Sequence, residues 1–425
     1  VINMTEIFLK SPRPEGLNAS EIKEAIQKSL EGKSLKKVLL VPPDFTRFYS
    51  NAGIITNTYY HLLKDYAEVD ILPALGTHEA MTKAECEEMF GDIPFEKFIY
   101  HNWREDVVSI GEVPKVFLEE VSEGLWHDPI NVEINKLIVD PSYDLIVSIG
   151  QIVPHEVVGI ANHSKNLFVG CGGKNIINQS HMLGAVYGME RMMGKDHTPV
   201  RKVLDYALTH FLNKRPVLFV LTVTTAPGGN TQTHGLFISE SRKGFELGIE
   251  LAQQKNLDFL DRPIKKCVVY LEPKEFKSTW LGNKAVYRTR MAIADGGELI
   301  VLAPGVTKFG EDKKNDELIR KYGYQGRLKV LELFNKTQEL KDNMGITAHL
   351  IHGSSDGRFT VTYAVKNITK EEIESVHFEA ADYDEMIKRY SPEKLTLGWN
   401  IMDDGEEIYY IPNPALGLWI DKNRF

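Results

Sequence analysis

Residues 153–182, VPHEVVGIANHSKNLFVGCGGKNIINQSHM, gather side chains that could do chemistry. They hold His155, His163 and His181, Lys165 and Lys174, Gly159, Gly170, Gly172 and Gly173, and Cys171. Imidazoles exchange protons near neutral pH and ligate metals, so His155 suits proton transfer and His181 metal binding. Lys165 could act as a nucleophile or a covalent anchor. Each has a plainer reading: a loop histidine is usually solvated, a lone lysine sits at the surface, and Gly170-Cys-Gly-Gly173 can be a flexible turn.

Three further stretches follow the same plan, an apolar run and then a polar turn. Lys37–Val41 leads into Asp44, Thr46 and Arg47; Val69–Leu75 leads into His78 and Glu79; Asp144–Gly150 leads into His155. Continuous apolar runs suit strands covered on both faces, and ligands in open α/β sheets sit at the carboxyl ends of strands. If the strands are parallel neighbours, these turns converge on one sheet edge. Arg47 then offers a planar fork for a carboxylate, and His78 joins His155 as a proton carrier. His163 and His197 keep a structural reading.

The elements that must position these residues alternate. Helical spacing covers Ser20–Leu30, Gly53–Tyr66, a capping-box helix opened by Thr82 and Glu85, Met182–Met193 and Pro199–Leu212. Strands are expected at Lys97–His101 and Pro216–Thr224. A hinge near Asp261–Lys266 introduces a second series: strand Cys267–Leu271, helix Asn283–Ala294, strand Glu298–Leu302, helices Asn315–Tyr322 and Arg327–Asn335, and strands Thr347–Ile351 and Thr360–Ala364. The fold class expected is α/β in two domains, 1–262 and 263–425, each with a mainly parallel sheet flanked by helices. The final segment is free to pack back on the first domain, and the active site is expected in the cleft between the two.

With 425 residues, 43% of them hydrophobic and 26% charged, the chain has ordinary globular composition. A net charge of −9 disfavours a nucleic-acid partner. No apolar run is long enough to span a bilayer, and the start, VINMTEIFLKSPRPEG, lacks a basic segment followed by an apolar core. Val1–Asn3 read as additional to a natural start at Met4, and the cytoplasm is the default compartment. Cys86, Cys171 and Cys267 have no paired spacing. Familiar motifs fail on single residues: His155-Glu156 begins HExxH but position 159 is glycine, Phe168 and Asn175 spoil a phosphate loop around Gly173-Lys174, and no GxGxxG follows the first strand.

Taken together, four motifs resemble the lactate racemase family, the nickel-pincer-nucleotide enzymes. They are Asp44-Phe45-Thr46-Arg47 (DxTR), Gly76-Thr77-His78 (GTH), Pro154-His155 with Gly159 (PHxxxG), and Lys165, Gly170 and His181 at the family's spacing. The likeness spans the first half of the chain and continues more weakly through Lys284 and Asp295-Gly-Gly. Two departures stand out. Asn162-His163-Ser164 replaces a glycine pair before the lysine, and Leu281 stands where the second domain usually has glutamine. Lys174, after Gly172-Gly173, is a competing anchor, but it breaks the spacing to His155 and His181.

The resemblance implies an isomerase, a racemase or epimerase of 2-hydroxy acids. Its cofactor would be a pyridinium mononucleotide with two thio-acid arms, one joined to Lys165. Nickel would be held by two sulfurs, a ring carbon and His181. Asp44, Thr46, Thr77, Gly170, Gly172 and Gly173 would complete the cofactor site. Arg47 and Lys284 would bind the substrate carboxylate. His78 and His155 would exchange the hydroxyl proton from opposite sides while the C2 hydrogen moves as hydride, through a 2-keto acid. Implied partners are a small 2-hydroxy acid and cofactor-biosynthesis proteins. Leu281 favours a larger, polar substrate of the gluconate/mannonate type over lactate. Two other readings remain at this point: a metalloenzyme with His78, His155 and His181 on zinc or another divalent ion, and a carboxylate-binding protein without catalysis.

Overall fold

A computed structural model describes residues 4–425; Val1–Asn3, read above as additional to Met4, lie outside them. The chain forms two compact units, one running to Leu183 and including Met192–Asn256, the other made of Gly184–Arg191 and Leu257–Phe425.

The first unit opens with β1 (Glu6–Lys10), α1 (Ala19–Leu30) and β2 (Lys37–Val41), then α2 (Ala52–Leu63), β3 (Glu68–Ile71) and α3 (Lys83–Phe90). A hairpin of β4 (Val107–Val113) and β5 (Ile130–Asn135) brackets α4 (Lys115–Val121). Next come β6 (Leu145–Gln151), the two-residue strands β7 (Pro154–His155) and β8 (Gly159–Ile160), α5 (Ser164–Phe168), α6 (Lys174–Tyr187), α7 (Pro199–Phe211), β9 (Val217–Thr225), β10 (Gln232–Ser239) and α8 (Lys243–Asn256). The main sheet has the order β1-β10-β9-β6-β2-β3, parallel from β9 to β3 and antiparallel at β10 and β1. Its central strands are buried almost throughout, which is why KVLLV, LIVSIGQ and VLFVLTVTT carry no polar alternation. Because β2 lies between β3 and β6, the turns after all three open on the same edge.

The second unit has β11 (Asp258–Leu260), β12 (Ile264–Tyr270), β13 (Ile293–Ala303), β14 (Thr360–Val365), β15 (Glu379–Asp382), β16 (Gly398–Ile401), β17 (Glu407–Ile411) and β18 (Trp419–Asp421). Its sheet runs β15-β14-β13-β12-β17-β16 and is parallel except at the β16 edge. Val268, Ile300, Leu302, Ala364 and Ile408 are in its core. Gly184–Arg191 group with this unit because Glu190 accepts hydrogen bonds from Arg290 Nε (3.0 Å) and Arg358 Nε (3.1 Å). The last strand, β18, pairs with β11, which the sequence reading places in the first domain and the structure in the second.

Four expected elements differ. Lys97–His101 is no strand beyond a bridge from Phe98 to Ile71, since Pro94 opens a tight turn and Phe98 turns its ring onto Phe90, 5.1 Å between centroids. Thr347–Ile351 belongs to a helix, Met344–His352, whose residues from Ile346 onward are all buried; a fully buried helix has no polar face to reveal its period. Asn283–Ala294 divides into short helices Thr279–Gly282 and Lys284–Tyr287, with β13 starting at Ile293. Met182–Met193 is replaced by α6, which starts at Lys174 and ends before Gly188 at φ 110°. Its polar residues are satisfied by a distant and a neighbouring partner: Asn175 Nδ2 donates to Asn131 O at 2.9 Å, and Gln179 Nε2 to Asn175 Oδ1 at 3.1 Å.

Candidate active site

The first wall grows from β2 and β3. Past its last residue β2 continues alongside the β3 tip, where Ala74 N donates to Pro42 O at 2.8 Å. Asp44 then caps the turn Phe45–Ser50, accepting from Thr46 N at 3.2 Å and from the Thr46 hydroxyl through Oδ1. Its other oxygen, Oδ2, lies 2.7 Å from His78 Nδ1. Burial alone would raise the Asp44 pKa, but the hydrogen bonds from His78 and Thr46 outweigh it and hold the carboxyl below its ordinary value. His78 itself is exposed. Its loop is tied to the central segment by Gly76, which sits at φ 59° and donates its N–H to Gly170 O at 2.8 Å.

The second wall follows β6. The β7–β8 pairing sets His155 opposite Gly159, and His155 Nδ1 accepts the N–H of Val157 at 3.0 Å. The chain then turns through Asn162 (φ 70°) and His163 (φ 55°), two non-glycine residues in a region L-residues avoid. Packing compensates. The His163 ring stacks between Phe219 and Phe245, centroids at 4.1 and 4.7 Å. Arg201, 1% exposed, donates to Asn162 O (2.9 Å), to Ser164 Oγ (2.8 Å) and to Ile160 O. This turn delivers Lys165 at the start of α5. One residue on, Asn166 Nδ2 bonds Val41 O (3.0 Å) and Ser148 Oγ (2.9 Å), pinning α5 to the ends of β2 and β6.

Lys165 is half-buried, and its pKa is lowered to about 7, by burial first and then by Arg47, with Arg201 acting likewise and Glu156 and Asp44 opposing. His181, on α6, donates Nδ1–H to Ile177 O at 2.6 Å. Burial depresses its pKa, and Lys165 adds to the effect. His155 is pushed well below 6.5 by burial, with Lys165, Arg47 and His181 contributing and Glu156 opposing. Arg47, His155, Glu156, Lys165 and His181 are thus within one another's electrostatic reach. Between Lys165 and His181, Gly170–Gly173 lies close against its surroundings. A Cβ on Gly170 would meet Asn166 O and Ala74, and one on Gly172 would meet Phe168 O. His101 Nε2 donates to Gly172 O (2.9 Å), and Asn135 Nδ2 donates to His101 Nδ1 (2.9 Å).

Of the other sequence candidates, Lys174 is exposed at the first residue of α6, Thr46, bonded to Asp44, is exposed, as are Thr77, Glu79 and His197, and Lys284 opens a short helix of the second unit. Among the described residues no group of three or more His, Cys, Asp or Glu side chains is placed to hold a metal ion by itself, so His78, His155 and His181 are not a protein-only metal centre. Residues that spacing alone passed over include Arg201, Asn166 and His101, whose work is to hold backbone. Glu156 entered the sequence reading only as part of a failed zinc motif. Its position beside His155 was the available signal.

Residues 3–193 match the family described as the lactate racemase N-terminal domain. The whole fold is similar to a crystal structure of a Thermotoga maritima protein (TM-score 0.78, 24% identity, 97% of this chain and 100% of that one). It is also similar to the lactate racemase apoprotein of Thermoanaerobacterium thermosaccharolyticum (TM-score 0.69, 17% identity, 94% and 92%). No curated protein matches the chain. No helix among the described residues is long and apolar enough to cross a membrane. Over residues 3–193, then, the chain is similar to the lactate racemase N-terminal domain family.

Proposed function

We propose that the protein is a racemase or epimerase that inverts C2 of a 2-hydroxy acid with a nickel-pincer nucleotide joined to Lys165. One observation carries this reading. The turns after β3 and β6 carry His78 and His155, and α5 and α6 carry Lys165, whose pKa is lowered to about 7, and His181; the Nε2 atoms of the three imidazoles bond to none of the described residues. The residues fit the cofactor. With its pKa lowered to about 7, Lys165 has a substantial neutral fraction near neutral pH, the form that can make an amide, whereas Lys174 is exposed. With Nδ1–H on Ile177 O, the lone pair of His181 is at Nε2, as a metal ligand requires. Gly170 and Gly172 keep side chains out of the segment between tether and ligand.

The chemistry such a group supplies is reversible uptake of the C2 hydrogen together with its bonding pair, which spares the protein from ionising a very weak C–H acid. The chain does the rest. Arg47 pairs with the substrate carboxylate, holding C2 in place, and His78 and His155 meet the C2 oxygen. Leu281 departs from the family pattern, and so points away from lactate; acids of the gluconate/mannonate type are the first substrates to try. Cofactor-biosynthesis proteins are the expected partners. The test is a C2-stereochemistry screen over hydroxy acids and aldonates with cofactor-loaded protein. Inversion of at least one is expected, together with extra intact mass that Lys165→Ala abolishes. No inversion by fully loaded protein would sink the proposal.

A further inference from the structure

Lys165 is delivered by a backbone bend that the residues forming it disfavour. Asn162 has φ 70°, and His163 has φ 55° with ψ −126°, the corner of backbone space that a type II′ turn reserves for glycine. A glycine pair would enter this bend without strain, and would leave it as readily. Asn162 and His163 stay there only because their surroundings over-determine the bend. Helix α5 hangs from it: Lys165 N donates to Asn162 O at 3.2 Å and Asn166 N to His163 O at 3.1 Å.

The His163 side chain supplies the hold. Its ring is 2% exposed and lies nearly parallel to both neighbours, tilted 28° from Phe219 of β9 and 18° from Phe245 of α8. The pile continues to the Arg201 guanidinium, 4.6 Å from the Phe245 centroid. That same arginine bonds the Asn162 carbonyl, so one group braces both the stack and the main chain of the bend. Neither ring nitrogen of His163 has a hydrogen-bond partner among the described residues; Asp205 Oδ1, 3.9 Å from Nδ1, is out of reach. Burying two polar atoms without partners is unfavourable. A ring held in spite of that acts through its flat faces and not through its nitrogens.

We propose that His163 is a positioning residue for Lys165: its ring is a plate clamped between Phe219 and Phe245, and the clamp locks the bend from which α5 and its lysine start. The inference rests on the tether role proposed above. Where a glycine pair would let the turn adjust, the plate presets it before any cofactor arrives, so that none of the ordering has to accompany attachment.

Three substitutions separate strain from clamp. His163→Phe keeps both, His163→Ala keeps the strain alone, and His163→Gly removes both. Full-length, cofactor-free protein is followed by amide hydrogen exchange at Lys165, Asn166, Val169 and Gly170, and then by the rate at which excess nickel-pincer nucleotide adds to the intact mass, well below each variant's melting temperature. His163→Phe should match the parent in both. His163→Gly and His163→Ala should lose protection at these amides and load at least about tenfold more slowly, with Ala the slower. Should neither fold, Phe219→Leu thins the clamp without touching the bend and should act in the same direction. Phe237→Leu, equally buried in this unit but outside the stack, should lower the melting temperature and still load at the parent rate. A His163→Phe variant as slow as His163→Ala, a His163→Gly variant that keeps parent protection and rate, or a Phe237→Leu loss equal to that of Phe219→Leu overturns the proposal. The exchange arm needs no cofactor, so its failure strikes this inference, and a parent protein that cannot be loaded strikes the functional reading.

Discussion

The two histidine-bearing loops are held in opposite ways. His78 is exposed, and its imidazole is set by a neighbouring side chain, Asp44, on a different loop. His155 and Lys165 are half-buried, and the chain around them is set by main-chain groups and by a buried arginine. A proton carrier that must charge and discharge benefits from solvent and a paired carboxylate. A tether that must be neutral to react benefits from desolvation. Segments that follow strands of one sheet supply both settings.

Lys165→Ala tests the buried side most severely. Covalent addition to the intact mass and all turnover should vanish, and an unchanged mass shift would transfer the tether elsewhere. On the exposed side, His78→Ala should reduce kcat/KM by about 10²–10⁴-fold. A near-normal rate there would mean the exposed loop does no proton transfer. Arg201→Met should cost about 3–5 kcal/mol in urea unfolding, because Asn162 O, Ile160 O and Ser164 Oγ lose their buried donor. If the variant unfolds with the parent, the Asn162–His163 turn is held by something else.

A subtler test follows the proton on Lys165. Its folded pKa, about 7, lies below that of an unfolded lysine, so between about pH 7 and 10 the unfolded chain binds the extra proton. Stability contributed by this group therefore rises with pH across that window and is absent below it. Lys165→Met should abolish the rise, and a parallel pH profile would show that the amine is not desolvated. The smallest effect is expected at His197, exposed and outside the set: His197→Ala should stay within about 0.5 kcal/mol of the parent.

Much of the scaffold was legible because β2, β6 and β9 are continuous apolar runs, and such runs read as strands covered on both faces. Thr82 with Glu85 announced a helix start through capping chemistry that needs no tertiary context. Strand adjacency then brought Asp44, Arg47, His78 and His155 to one edge. What stayed hidden depends on partners far along the chain. Met344–His352 is buried on every side and shows no period, and the polar face of α6 is satisfied by Asn131 O, which no local rule foresees. Arg201 sits 36 positions past Lys165 in a helix that looks ordinary, and only the folded chain shows that it grips the turn ahead of the lysine.

The partner of His155 is a peptide group, and so is that of His181. Swapping a neighbour's side chain cannot rewrite either ring's hydrogen placement. Only bending the polypeptide can. Substitutions around these rings leave the hydrogens of His155 and His181 where the backbone puts them, whereas the His78 ring can be retuned by one codon change at position 44. New substrates should therefore arise by drift around an inherited, backbone-written arrangement of hydrogens.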